Sequence, residues 1–390
     1  MMRLNKLKLI AAVLGYAAWI SSSFAQITIT EKILPGRTPP TWVSLSGFSG
    51  EAAQVLEFDL YVQGFNFTNA AAAQYEISGS SNGNLQGAVR DQFQKRVVLS
   101  KAYSGASIRR QAHAFVDDFV QAIGRKGIAQ TKIAFKGENG GNSEIYIADF
   151  DGHNAQAVTR DNSLVAAPAW VPGKMALYYT SYKLNHPDIF YQNLSTGDRK
   201  VFARYGGSNI SPSPSPDGSE VAMILSKDGW TDLYVGSASG GLPRRLTVSR
   251  QDESSPCWSP DGRWICYASK DQERRSLSKI SPAGGSAQRI RISLGANPTE
   301  PDWSPDGKWI AFTAQYRNFQ ICVIPSEGGE AVTLTEGEDA SWAPNSRTVI
   351  FARRSGGRYV LSLLDVPTKQ VKDVPRISGS ASQSQPSWAR

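Results

Sequence analysis

The pentapeptide Trp258-Ser259-Pro260-Asp261-Gly262 returns intact as Trp303-Ser304-Pro305-Asp306-Gly307. Altered copies stand at Trp170-Val171-Pro172-Gly173, Pro214-Ser215-Pro216-Asp217-Gly218, Trp342-Ala343-Pro344-Asn345-Ser346 and Ser387-Trp388-Ala389-Arg390. The leading positions 170, 214, 258, 303, 342 and 388 lie 44, 44, 45, 39 and 46 residues apart. Six copies at such a period mean a repeat architecture, in which each copy buries its apolar faces only by stacking on its neighbours.

Each unit has the same parts. An apolar triplet ending in an aromatic or Met recurs as Ile133-Ala134-Phe135, Ala176-Leu177-Tyr178, Val221-Ala222-Met223, Ile265-Cys266-Tyr267, Ile310-Ala311-Phe312 and Val349-Ile350-Phe351. A second strand follows, as in Asp188-Ile189-Phe190-Tyr191, and then a glycine turn and a weaker strand at Leu246-Thr247, Ile290-Arg291 and Leu334-Thr335. The pentapeptide supplies the remaining strand and a hairpin turn, since Pro fixes φ near −65°, Asp suits the next position and Gly takes a left-handed one. Four short antiparallel strands repeated six times define a β-propeller. The first unit begins at Ile133 without its leading strand, and the chain ends with an unpaired one at 386–390. Pairing 386–390 beside 132–136 would close the ring and remove an exposed edge.

The residues ahead of the ring divide into three. Arg3, Lys6 and Lys8, the apolar run Leu9–Ile20 and Ser23-Phe24-Ala25 have the layout of a cleavable export signal over 1–25, with cleavage after Ala25 and an exported product. A run of 12 residues spans about 18 Å as a helix, too short for a hydrocarbon core of about 30 Å. Residues 26–40 alternate briefly at Ile27-Thr28-Ile29-Thr30 and then meet Pro35, Gly36, Pro39 and Pro40, which reads as an extended arm. Residues 41–131 read as a small α/β domain, with helices over Gly50–Tyr61 and Ser107–Gly124 and strands near Trp42, Tyr75, Leu85 and Val97. The propeller takes 132–390.

Composition narrows the function. The formal charge of +8 falls to +5 without Arg3, Lys6 and Lys8 (8 − 3), and no block of like charge suggests a nucleic-acid or anionic-membrane footprint. Gly79-Ser80-Ser81-Asn82-Gly83 matches the hydrolase pattern G-x-S-x-G, but Asn84-Leu85-Gln86-Gly87 continues as a hairpin rather than the helix a nucleophile needs. His113, His153 and His186 are dispersed, and neither a zinc set nor a catalytic dyad is suggested, so no cofactor is expected. Cys257 and Cys266 fall opposite one another across the Pro260-Asp261-Gly262-Arg263 turn, which permits a disulfide. Cys266 equally fills the place of Ala222 and Ala311, where a small buried residue suffices.

An exported α/β domain followed by six such repeats resembles the TolB family, the periplasmic propellers of the Tol-Pal envelope system. The resemblance rests on the helix Ser107–Gly124 leading into Ile133-Ala134-Phe135 and on Glu144-Ile145-Tyr146-Ile147-Ala148-Asp149-Phe150-Asp151-Gly152. The chain departs from the family in the short 69–74 link and in Ser278-Lys279, which replaces an apolar pair. The resemblance implies a monomeric, non-enzymatic scaffold that serves envelope integrity and cell-division constriction. Its arm, including Ile27, Thr28 and Ile29, and its small domain would meet a TolA-like inner-membrane protein. Its loops ahead of the repeats, at Ser208, Ser211, Ser254 and Thr299, would dock a Pal-like peptidoglycan-associated lipoprotein. The competing reading is a secreted propeller that binds or cleaves a peptide or glycan in its central opening.

Overall fold

The computed structural model describes residues 35–295, 297–375, 377 and 379–390. Strand β1 (Thr41–Ser46), helix α1 (Gly50–Tyr61), β2 (Phe65–Phe67), β3 (Tyr75–Ser80), β4 (Leu85–Asp91), β5 (Arg96–Tyr103) and α2 (Ile108–Ala122) follow one another. They build one sheet of order β2-β1-β3-β4-β5, with β1 parallel to β2 and β3 and the rest antiparallel. The apolar stripe of α2 makes this core: Phe115, Val116 and Phe119 pack on Val43, Leu56, Phe65, Ile77 and Val89. Ser107 caps α2, its Oγ accepting from the Arg110 N–H at 3.3 Å, and Gly124 leaves the helix at φ +79°. The stretch matching G-x-S-x-G joins β3 to β4 as a hairpin, with Gly83 at φ +78°.

Six four-stranded antiparallel sheets follow. Blade 1 combines Lys132–Asn139, Asn142–Asp149 and Gln156–Ala157 with the final strand Ser382–Trp388, so the ring closes as the sequence predicts. The closing strand is longer than 386–390, starting at Ser382 opposite Glu138 and ending with Trp388 opposite Ile133. Blades 2 to 6 occupy Val165–Ala203, Asn209–Arg245, Asp252–Arg289, Asn297–Glu336 and Glu338–Asp373. Two outer strands lie just ahead of their expected places, at Arg244–Arg245 and Gln288–Arg289. Leu246 and Ile290 follow them and are buried, so in these blades the apolar residue anchors the strand's exit.

The repeated turn owes as much to its Ser as to its Pro and Gly. Ser259 Oγ donates to Asp261 Oδ1 at 2.6 Å and accepts from the Trp264 N–H at 2.9 Å, while Asp261 also accepts from the Arg263 N–H. These bonds, with Ser259 the largest cause, hold the Asp261 carboxyl down to about 2. Gly262 follows at φ +70°. In three copies the Trp of the motif faces the preceding blade, and its indole N–H reaches that blade's inner strand: Trp258 donates to Ser213 O, Trp342 to Asp302 O and Trp170 to Ser387 O, whereas Trp303 donates to Gly307 O of its own turn. Trp170, Trp258 and Trp342 thus each add apolar burial and a directional bond between neighbouring blades. Lys279, which breaks the apolar pattern of blade 4, is buried with its Nζ 2.9 Å from Glu327 Oε2 and over the Trp264 ring.

The small domain sits on the end of the ring that carries the Pro-Asp-Gly turns. Thr348 Oγ1 donates to Val62 O and Gln370 Nε2 to Phe65 O. The described end of the arm lies there too, with Gly36 N–H donating to Val366 O at 2.8 Å and Thr38 N–H to Pro367 O at 3.1 Å.

Candidate functional site

With one end of the ring covered, the opposite end is the face left open. It carries the loops between the outer strand of one blade and the inner strand of the next, together with the hairpins joining each blade's second and third strands. Ser208, Ser211, Ser254 and Thr299 all sit at this end, half-buried rather than projecting. Ser208 N–H donates to Ser226 Oγ and Ser211 N–H to Thr180 Oγ1. Ser254 Oγ is buried without a hydrogen-bond partner. Ile27, Thr28 and Ile29 lie outside the described residues.

Six large apolar side chains stand exposed on this face: Leu164, Tyr182, Trp230, Val248, Tyr316 and Phe319. Sequence reasoning missed them because an apolar residue in a loop carries no periodicity. Five of them lie between strands and Phe319 opens one, and that position was the only signal. Such residues ringing one free face of a rigid scaffold are the ordinary makings of a protein-docking surface.

The inner wall is stiff for a local reason. In every inner strand the ladder to the second strand shifts register. The residue at each shift is left-handed: Ala167, Ser211, Ser255, Glu300, Asp339 and Gln385, with φ between +49° and +58°. A non-glycine residue there costs about 1–2 kcal/mol, and the surroundings must hold it. Five of the six precede a proline (168, 212, 256, 301, 386), a residue strands tolerate at bulges because it donates nothing to the ladder. Around half the circle the bulges are tied blade to blade. Asp339 N–H donates to Glu300 Oε2 at 3.1 Å, Gln385 N–H to Asp339 Oδ2 at 3.1 Å and Ala167 N–H to Gln385 Oε1 at 2.9 Å. Burial, and then the carboxylates of Glu300 and Glu338, hold the Asp339 carboxyl well above its ordinary range.

The inner strands enclose an opening of about 400 Å³. At the small-domain end Arg390 reaches across it, donating to Trp342 O at 3.2 Å, Trp303 O at 3.1 Å and the Asp302 carboxylate. Cys257 and Cys266 face each other in register in blade 4, and all three cysteines are free and buried. His113 and His153 both approach Asp151 at the junction with the small domain, a convergence not visible from their separation in sequence. Among the described residues no helix is long and apolar enough to cross a membrane.

A six-bladed propeller with an α/β domain on one end and an apolar-rimmed loop face on the other defines a class of two-domain propeller proteins. The family model described as "TolB beta propeller domain" matches residues 119–390, and the chain belongs to that family. A Tol-Pal system protein TolB from Bordetella pertussis is 31% identical over 279 residues, covering 70% of this chain and 64% of that protein. One of the same name from Desulfosudis oleivorans is 32% identical over 248 residues, covering 55% and 56%. A TolB homolog from Chlorobium luteolum is 34% identical over 214 residues, covering 53% and 48%. The aligned region thus spans about half to two-thirds of these relatives. The crystal structure of TolB from Acinetobacter baumannii superposes with a TM-score of 0.81 at 23% identity, covering 91% of this chain and 98% of that one, a likeness of fold.

Proposed function

We propose that this chain is a non-enzymatic scaffold of a Tol-Pal system, exported to the periplasm by residues 1–25. The loop face docks a Pal-like peptidoglycan-associated lipoprotein, and the arm with the small domain meets a TolA-like inner-membrane protein. The observation that carries this is the asymmetry of the ring: one end is occupied by the small domain, and the other presents six exposed large apolar side chains on braced loops. Two relatives bear the name Tol-Pal system protein TolB, which supports the assignment to that system. The half-buried Ser208, Ser211, Ser254 and Thr299 fit a role in shaping the docking rim, with Tyr182 and Trp230 as its anchors. Ile27, Thr28 and Ile29 would supply an extended segment able to add a strand to a partner's sheet.

The test is capture of a purified peptidoglycan-binding lipoprotein by the full chain. Replacing Tyr182 and Trp230 together by Ser should weaken capture by at least about tenfold, the scale of an aromatic hot spot. Undiminished capture would move the interface elsewhere. No capture, with turnover of a peptide or glycan library, would favour a ligand in the central opening instead.

A further inference from the structure

The small domain meets the ring around one imidazole. His113 lies on α2 with its Nδ1 2.6 Å from Asp59 Oδ2, which comes from α1. Its Nε2 faces Oδ2 of Asp151 at 3.3 Å, an ion-pair approach outside hydrogen-bond geometry; Asp151 belongs to the ring, in the turn after Asn142–Asp149. Both aspartates are fully buried and His113 is 4% exposed. Other charged groups face the cluster from the same elements. From α2, Arg109 donates to Asp151 and lies 3.2 Å from Glu51 of α1. Asp117, also on α2, accepts from the Ala129 and Gln130 N–H groups. From the ring turn, His153 Nδ1 stands 3.7 Å from Asp151 Oδ2.

A neutral imidazole has a single N–H and would turn its other nitrogen's lone pair toward a buried carboxylate. The imidazolium turns an N–H toward each, and the partly buried Arg109 adds a second cation beside Asp151. Loss of that proton leaves an uncompensated charge at a dry interface, which is destabilising. The same ring also touches the seam of the propeller. It meets Phe150 edge-on at 5.6 Å between centroids, and Phe150 stacks on Trp388 of the closing strand at 6.3 Å. Gly152, at φ +84°, lets this turn pass against Val374, where a Cβ would come within 2.5 Å of the valine's Cγ1.

We propose that His113 is a proton-dependent latch: as the imidazolium it fastens the small domain to the ring and, by holding Phe150 against Trp388, it also holds the closing strand. Burial opposes the charge on His113, but the pull of Asp151 and Asp59 outweighs it and raises the group to about 10. Burial raises Asp59 to about 7, while Asp151, despite its burial, is held below the carboxylate range by His113 and Arg109. Folded values above the unfolded ones give Asp59 and His113 a stabilising effect that is complete below their ordinary pKa values. It is lost as pH climbs through about 7 and toward about 10. Asp151 contributes in the opposite sense and fails only in strong acid. The latch is therefore tighter in acid than at neutrality and loosens further on the alkaline side.

The experiment uses the full mature chain. In ¹⁵N-histidine spectra, both ring nitrogens of His113 should keep imidazolium shifts at about pH 8, well above the ordinary histidine value of about 6.5. Hydrogen exchange, corrected for the intrinsic pH effect, should show protection of 108–122 and of 382–388 falling together by at least about tenfold between about pH 6 and about pH 9.5, the factor for one pKa unit. In His113→Gln that fall should vanish. If this variant does not fold, Asp59→Asn, which keeps the shape but removes one titrating group, should shallow the slope. A neutral His113 ring at neutral pH would overturn the latch, as would unchanged slopes in both variants. Loss of protection in 108–122 alone would overturn the link to the closing strand.

Discussion

Blade 1 and blade 2 are neighbours built to one plan, yet one is over-bonded and the other under-bonded. Blade 1 is the seam, where the ring lacks covalent continuity between its inner and second strands. There Trp388 is nearly fully buried, its Nε1 donates to Thr131 Oγ1 at 2.8 Å, and its N–H donates to Ser341 Oγ at 3.1 Å. Ala389 N–H donates to Lys132 O, and Arg390 fastens onto blades 5 and 6. Blade 2 shows the opposite at the head of its third strand. In blades 1 and 3 an acid at that position, Glu144 or Asp232, faces a Thr fifteen residues on (159 − 144 and 247 − 232). Thr159 Oγ1 donates to Glu144 Oε2 at 2.5 Å and Thr247 Oγ1 lies 3.4 Å from Asp232 Oδ1. Arg245 adds a further donor to Asp232. In blade 2 position 203 (188 + 15) is Ala, and the wholly buried Asp188 has no hydrogen bond to either oxygen, with Arg204 Nε at 3.5 Å as its ion-pair neighbour. Burial accordingly raises the Asp188 carboxyl. Reinforcement is concentrated where the chain is cut, and a covalently continuous blade tolerates an unsatisfied acid.

Four changes would break or sharpen that contrast. Removing 386–390 strips the seam of its Trp and two of its five paired positions, and should lower the melting temperature by several degrees; an unchanged melt would mean the seam is not what holds the ring. Trp388→Ala keeps the strand but leaves a cavity against Phe150, at a cost of about 3–5 kcal/mol, read from the shift in urea midpoint. Arg390→Ala removes bonds that are partly exposed to solvent, and about 1–2 kcal/mol is expected by the same measurement. Ala203→Thr should act in the other direction. It returns the missing hydroxyl to Asp188 and should stabilise by about 0.5–1.5 kcal/mol, whereas a loss would show that the site is too tight for the added atoms.

Much of the fold was legible because the turn that joins the first two strands of each blade is local chemistry. Pro, Asp and Gly dictate its backbone, and their recurrence counts the blades. The role of the Ser was not legible, since its two hydrogen bonds become visible only once the turn is closed. The left-handed bulges escaped notice because Ala167, Ser211, Ser255, Glu300, Asp339 and Gln385 are of mixed type and none is glycine; only the prolines that follow five of them hinted at them. The exposed Trp230 and Tyr182 were hidden for a similar reason, as they belong to loops without period. The three histidines are dispersed in the sequence with no sign of partners, yet Asp59 and Asp151 reach His113 from α1 and from the ring.

What the sequence determined by itself was the count of blades, the turn geometry, the helix limits and the pairing of first strand with last, all consequences of short-range conformational preference and periodic burial. Tertiary structure alone decided which end of the ring stays open, where left-handed backbone is tolerated, and which charges meet in the dry interface. Those depend on desolvation and on distances between residues far apart in the chain, and neither is written in local pattern.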